Sequence, residues 1–162
     1  MDDPNIRPYD DADGPGVVSL SLRAWAPVFV SERDVLGDEI FKLLNGDDWR
    51  RRQQRDVEKV LADEKTEIWV AEIGGQVVGF VAAFLRIDED MGEVYMLAVD
   101  PDSQNHGLGS RLTEVATNWI RESGLPLAVV STGGDDGHAP ARRTYEKAGY
   151  TAWPSMLYLK VL

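Results

Sequence analysis

Residues 93–131 constrain the fold more than any other part of the chain. Residues 93–99 (EVYMLAV) are apolar and carry two valines and a tyrosine, which suits a strand. Asp100-Pro101 stops that strand, because the residue before a proline is pushed out of the helical region. From Gly107 onward, Leu108, Leu112, Val115, Ala116, Trp119 and Ile120 fall at offsets 0, 4, 7, 8, 11 and 12. That spacing is one apolar face of a helix, and Gly124 closes it. Residues 127–130 (LAVV) then read as a buried strand. A hairpin turn joins antiparallel strands, whereas a helical crossover delivers the second strand parallel to the first. A parallel pair is therefore expected over 93–99 and 125–131.

The flanks fill in the rest of a mixed sheet. Residues 6–9 read as a first strand. Val18, Leu22, Trp25 and Phe29 recur at helical spacing, and Pro27 is expected to end or kink that helix. Leu36, Ile40, Leu43 and Leu44 mark a second helical stretch; Trp49, Val57, Val60 and Leu61 mark a third. Residues 67–73 alternate, Gly74-Gly75 turns, and 76–87 return as the second arm of a hairpin. Pro140 near its start and Gly149 just past its end bracket another helix, and 157–162 read as a closing strand. The expected class is α/β, an α+β mixed sheet of about six to seven strands with the central parallel pair and about four helices. At 162 residues the chain suits one domain, 1–162, with residues 1–5 loose.

Composition narrows the chemistry. There are no cysteines, so disulfides, thiolate metal sites and a cysteine nucleophile are excluded, and two histidines make no metal cage; no metal is expected. The net charge of −11 disfavours nucleic acid, whose binding relies on several phosphate-neutralising Lys or Arg residues, and disfavours an anionic membrane. A cationic or amine-bearing partner fits better by long-range attraction. The acidic N-terminus (MDDPNIRPYDD) is unlike a signal peptide, and no run of 18 apolar residues exists, so a cytoplasmic protein is expected.

The junction between strand and helix carries the sharpest motif. Residues 104–109 read Gln104-Asn105-His106-Gly107-Leu108-Gly109, followed by Ser110. Unpaired N–H groups at a helix start attract anionic oxygens, and glycines let a phosphate approach the backbone without a Cβ in the way. The turn is thus a candidate pyrophosphate cradle. A Walker A loop is excluded because no Gly-Lys-Ser/Thr occurs, and the dinucleotide fingerprint fails because Leu112 stands where its third glycine belongs.

Gln-x-x-Gly-x-Gly within residues 93–112 resembles the acyl-coenzyme-A-binding motif of the GNAT superfamily of N-acetyltransferases. The family's second motif, an Asn or similar residue followed by alanines and Tyr-Glu-Lys-x-Gly-Phe, is matched by His138-Ala139-Pro140-Ala141-Arg142-Arg143-Thr144-Tyr145-Glu146-Lys147-Ala148-Gly149-Tyr150. The resemblance covers roughly residues 5–162. It implies acetyl-CoA as cofactor, contacted by the backbone of Leu97, Ala98 and Val99, by the 104–110 turn, by His138 in place of the family's asparagine, and by Arg142. It implies that Tyr145 protonates the departing thiolate. It also implies an acceptor site built from the first helices and the closing hairpin, here Trp25, Phe29 and Trp153.

Amine acylation requires a neutral amine. A lysine-like amine is neutral about once in 2,500 at pH 7, a cost of roughly 4.6 kcal/mol. A carboxylate that takes the proton helps by about 10²–10⁴ in rate. Glu93 is the candidate base; it begins the strand leading to the cradle and, by a period of two, shares a face with Tyr95, Leu97 and Val99. The expectation is an N-acetyltransferase acting by direct transfer to a small-molecule or peptide amine, with a non-catalytic acyl-CoA sensor, or transfer to a hydroxyl or hydrazine, as alternatives. The oligomeric state is open, a homodimer included.

Overall fold

The computed structural model describes residues 3–162. Five strands form one sheet in the order of the chain: β1 (Asn5–Pro8), β2 (Thr66–Ile73), β3 (Gln76–Arg86), β4 (Met91–Val99) and β5 (Leu127–Val130). The helices are α1 (Gly14–Asn45), α2 (Trp49–Leu61), α3 (Leu108–Glu122) and α4 (Ala139–Lys147). Gly74 and Gly75 both take positive φ, 57° and 81°, the condition for the tight turn that joins β2 to β3. β1 to β4 pair antiparallel, and β5 lies parallel to β4 after the α3 crossover.

The sheet has apolar residues on both faces, and each face is covered. On one, Val17 and Leu20 of α1 and Val57 of α2 pack on Ile68, Val70, Phe80, Ala82 and Ala98. On the other, Leu108, Leu112, Ala116 and Ile120 of α3 pack on Ala71, Val81, Ala83 and Val94. The predicted face of α3 is the buried one. Gly92 exists for this contact: a Cβ there would lie 2.5 Å from Ile120 Cγ1.

Four expectations change. The sheet has five strands and not six to seven, because 157–162 form no strand: their neighbour in the sheet would be the outer edge of β5, and the chain does not return to it. Pro27 sits inside α1 without breaking it; the break comes at Gly37, whose φ of 77° and ψ of 162° leave the helical region. Residues 3–5 are not loose, since Arg111 of α3 donates to Asp3 Oδ1 at 2.7 Å and to the Pro4 carbonyl at 3.0 Å, and Asn5 starts β1; Met1 and Asp2 lie outside the described residues. Finally, β4 carries a bulge. Ala82 and Ala83 of β3 face Met96 and Val94, so Tyr95 is an extra residue. The bulge inverts the alternation: Val94 faces α3 before it, and Leu97 and Val99 face α3 after it. Glu93 therefore does not share a face with Leu97 and Val99. It lies with Tyr95, whose ring meets Phe84 at 5.7 Å, on the α1 side.

Candidate active site

β4 and β5 run together only from Met91↔Leu127 to Val94↔Val130. Beyond the bulge they part, and the second half of β4 has a free edge. The Asp100 N–H donates to the Val78 carbonyl, so alternate residues of β4 point to β3 and the backbone of Leu97 and Val99 points the other way. Both outward carbonyls are already taken within the chain. The Trp25 indole N–H donates to Leu97 O at 3.2 Å, and the Gln104 side-chain amide donates to Val99 O at 3.0 Å. The amide N–H groups of Leu97 and Val99 are left as outward donors without a protein partner among the described residues. Ala98 differs from them: it pairs with Phe80 and is buried in the core.

The cradle forms at the end of this free edge. Asn105 and Gly107 both take positive φ, 66° and 76°, and Gly107 caps α3 with no side-chain hydrogen bond to the first turn. The Arg111 N–H is the first to bond back, to Gly107 O at 3.1 Å, so the N–H groups of Leu108, Gly109 and Ser110 remain open donors at the positive end of a 15-residue helix. A Cβ at Gly107 would meet nothing within 4 Å, which leaves open space above the backbone. The side chain of Leu108 is core, and His106 is exposed. These donors fit a diphosphate, and the outward amides of Leu97 and Val99 fit the extended amide chain that follows it in coenzyme A.

α1 bridges the gap between the parted strands. Arg23 pairs with Asp100 and Trp25 with Leu97 at the β4 side. At the β5 side Ser31 Oγ donates to Asp135 Oδ2 at 2.5 Å and accepts from the Gly137 N–H at 2.9 Å. From Trp25 to Ser31 a helix advances about 9 Å. An extended chain lying between two strands needs two inter-strand spacings, about 9.6 Å.

The loop 131–138 is built to dock on α1. Gly137 and Gly133 do not take positive φ; they allow close approach, since a Cβ would lie 2.6 Å from Ser31 Cβ and 2.5 Å from His138 Nδ1 respectively. The His138 ring bonds Asp135, and Arg142 donates to the carbonyls of Gly133 and Asp135, both at 2.7 Å. Both side chains expected on the cofactor are thus engaged inside the loop. Burial pushes the Asp135 carboxyl up, but bonds from Ser31 and His138 outweigh it and hold the group below its ordinary range. Glu32 beside it is raised, chiefly by burial. Ser31 and Glu32 carried no sequence signal; only the fold brings them to this loop.

α4 packs beside α3, with Thr144 against Gly109 and the Tyr150 hydroxyl 2.7 Å from Thr117 Oγ1. The Tyr145 ring is 6.1 Å from that of Tyr150. Burial, and then Tyr150, raise its phenol to about 12, so it keeps its proton at neutral pH. Glu93 sits at the fork where the strands part, paired with Val129 in the backbone and with Arg86 at 3.3 Å through its carboxylate. Of the expected acceptor aromatics, Trp25 packs edge-on against Phe80 at 6.1 Å and Phe29 stacks on Trp49 at 4.1 Å. Trp153 joins neither; it stands 91% exposed on the C-terminal arm. Among the described residues no metal cluster forms, and no helix is long and apolar enough to cross a membrane.

Comparison with known proteins agrees with this geometry. A family model described as the acetyltransferase (GNAT) family matches residues 36–150. Among curated relatives, the mycothiol acetyltransferase of Streptomyces coelicolor is 35% identical over 104 residues, 60% of this chain and 32% of that protein. That of Thermobifida fusca is 34% identical over 110 residues, 64% of this chain and 33% of that protein. The chain spans about a third of the length of these relatives. Among solved structures, an aminoglycoside 6'-N-acetyltransferase from Acinetobacter haemolyticus superposes with a TM-score of 0.69 at 14% identity, covering 98% of both chains. An N-acetyltransferase from Thermoplasma acidophilum, solved with coenzyme A, gives 0.64 at 11% identity over 90% of this chain and 89% of the other. At such identities the two structures show the fold alone.

Proposed function

Because this chain belongs to the acetyltransferase (GNAT) family, we propose that it is an N-acetyltransferase, moving an acetyl group from acetyl-CoA to an amine by direct transfer in a ternary complex. The observation that carries this reading is the free second half of β4 running into the uncapped start of α3. Acetyl-CoA supplies an acetyl group already activated as a thioester. The open N–H groups of Leu108, Gly109 and Ser110 hold its diphosphate, and Gly107 keeps the approach clear. The outward N–H groups of Leu97 and Val99 align its amide arm as an added strand. The Leu97 N–H, rather than Ala98, is then the donor placed to stabilise negative charge on the acetyl oxygen.

Glu93 takes the proton from the acceptor amine, through water, and Tyr145 donates one to the sulfur. A phenol raised to about 12 keeps its proton at working pH and so is present as a hydrogen-bond donor to the departing thiolate, while the shift makes it a weaker acid. The chain has no cysteine, and among the described residues no serine is bonded to a histidine; Ser31 bonds to the carboxylate of Asp135 instead. Direct transfer follows.

The acceptor enters from the α1 side, past Phe29 and the loop at Asp135. Relatives named for mycothiol and neighbours named for aminoglycosides make a small-molecule amine the first class to test, and the net charge of −11 favours a cationic one. Thiol release from acetyl-CoA across a panel of amines is the test. Release above background with at least one amine is expected. Coenzyme A binding with no release for any amine would instead make the chain an acyl-CoA sensor.

A further inference from the structure

Only one ring nitrogen of His138 is engaged by the loop after β5. Nδ1 bonds Asp135 Oδ1, while Nε2 has no protein partner among the described residues. Nor is Nε2 enclosed: the one buried side-chain polar atom left without a partner there is Nδ2 of Asn45. An ionised carboxylate only accepts, so the neutral ring carries its proton on Nδ1 and presents a lone pair at Nε2. An imidazole oriented in this way by a carboxylate is built to accept a proton, and the arrangement recurs in enzymes of unrelated folds.

The ring borders the gap between β4 and β5 at its β5 end. Asp135 takes the Ser31 hydroxyl of α1 as well as the ring, and Glu32, next along α1, is within electrostatic reach of it. His138 is also the N-cap of α4, a helix that passes the cradle with Thr144 against Gly109. Tyr145 follows His138 by seven residues, nearly two full turns, so the two lie on one stripe of α4. Helical Cα–Cβ bonds tilt toward the N-terminus, which leans Tyr145 back toward the end that His138 caps.

Acylation of an ammonium group strips two protons from its nitrogen, and Glu93 accounts for one, taken before attack. The second leaves after the N–C bond has formed. We infer that Nε2 of His138 takes this second proton and returns it to Tyr145. As the C–S bond breaks, its electron pair stays on sulfur, and the sulfur takes the Tyr145 proton. The proton on nitrogen passes to Nε2 and then, through water, to the Tyr145 phenolate. Both side chains end as they began, and one proton per turnover is released, the one that left by way of Glu93. This role rests on the transferase reading.

The state of the ring is read first, without activity. In chains labelled with nitrogen-15 histidine, His138 should show the Nδ1–H tautomer when neutral; His106→Gln assigns the signals, since the chain has two histidines. An Nε2–H tautomer would overturn the proposal whether or not the chain is a transferase. With an amine that supports thiol release, His138→Gln should lower kcat about 10²-fold while coenzyme A affinity holds. In the wild type kcat should fall on the acid side as the ring takes a proton from solvent, and that limb should be lost in the variant. The other charged groups around the ring, Asp135, Glu32 and Arg142, stay in place. Added imidazole should restore turnover to His138→Ala. A loss of coenzyme A affinity with kcat and its acid limb unchanged, or no rescue by imidazole, would reduce His138 to a docking residue and overturn the proposal. Absence of thiol release with every amine would remove the transferase reading and this role together, whereas the wrong tautomer would remove this role alone.

Discussion

The two halves of β4 belong to one strand yet do opposite work. From Met91 to Val94 the strand is closed: β5 takes its backbone, and Gly92 admits Ile120. From Leu97 to Val99 it is open, with amides turned outward toward a gap that α1 spans. Tyr95, the bulged residue, marks the border. The closed half has side chains that cannot change without cost to stability. The open half has a backbone whose donors cost little to the fold and serve a ligand. A strand becomes a binding site here by losing its neighbour partway along.

The strongest way to break the comparison is at the closed half. Gly92→Val places atoms inside the space of Ile120, a stiff side chain, and overpacking of this kind costs typically 1–3 kcal/mol, occasionally more. Thermal melting should fall by about 2–4 °C for each kcal/mol, with coenzyme A affinity intact in the folded fraction; an unshifted melt would mean that the two strands slide to make room. At the open half the order of effects should reverse. Gly107→Val forces a β-branched residue to a φ of 76° and fills the approach to the cradle, so calorimetry should show at least a tenfold loss of coenzyme A affinity. Gly109→Val, whose Cβ would sit 3.5 Å from Thr144, should also weaken binding, and equal affinity in both variants and wild type would remove the cradle from the site.

Tyr145→Phe sharpens the contrast between holding and reacting. Turnover should drop about 10²-fold while coenzyme A affinity holds, as expected when a proton donor is removed. The same variant has a stability signature. A phenol raised from 10.0 to about 12 keeps more protons folded than unfolded, so its contribution is intact below pH 10 and fades as pH climbs toward 12. Tyr145→Phe should lose that alkaline decline in a melt-against-pH series. The smallest effect is expected from Trp25→Phe. It frees the Leu97 carbonyl and should cost about 1 kcal/mol of stability and a several-fold rise in the Michaelis constant for acetyl-CoA. A fall in turnover alone would point to an acceptor contact instead.

How much of this was legible in the sequence depends on what each part is made of. The crossover, the β2–β3 hairpin and the cradle are backbone features, and glycines with periodic apolar residues announce them: Gly74, Gly75 and Gly107 all take the positive φ their positions suggest. The bulge at Tyr95 was invisible, because an inserted residue leaves the composition of the strand unchanged, and it misplaced Glu93 by a whole face. The break in α1 was sought at Pro27 and lies at Gly37, since a proline within a helix is tolerated where tertiary packing holds it. His138 and Arg142 stand in a legible motif, but their bonds to Asp135 and Gly133 do not show in it, and the bond from Ser31 to Asp135 exists only once α1 meets the loop after β5. Side-chain sites of that kind have no period to read.

The bulge carries a consequence for how such a strand can evolve. Side chains of β4 alternate on both sides of Tyr95, and the inserted residue sets their phase. Deleting Tyr95 would restore plain alternation, with Ala83, Ala82 and Val81 still opposite Val94, Met96 and Leu97, so Leu97 and Val99 would keep their side toward α3 while the bend that the extra residue puts into β4 would be lost. Point substitutions along this stretch leave the bend in place, whereas a single-codon deletion takes the bend away with the extra residue, so the length of this stretch matters more to the parting of the strands than its letters do.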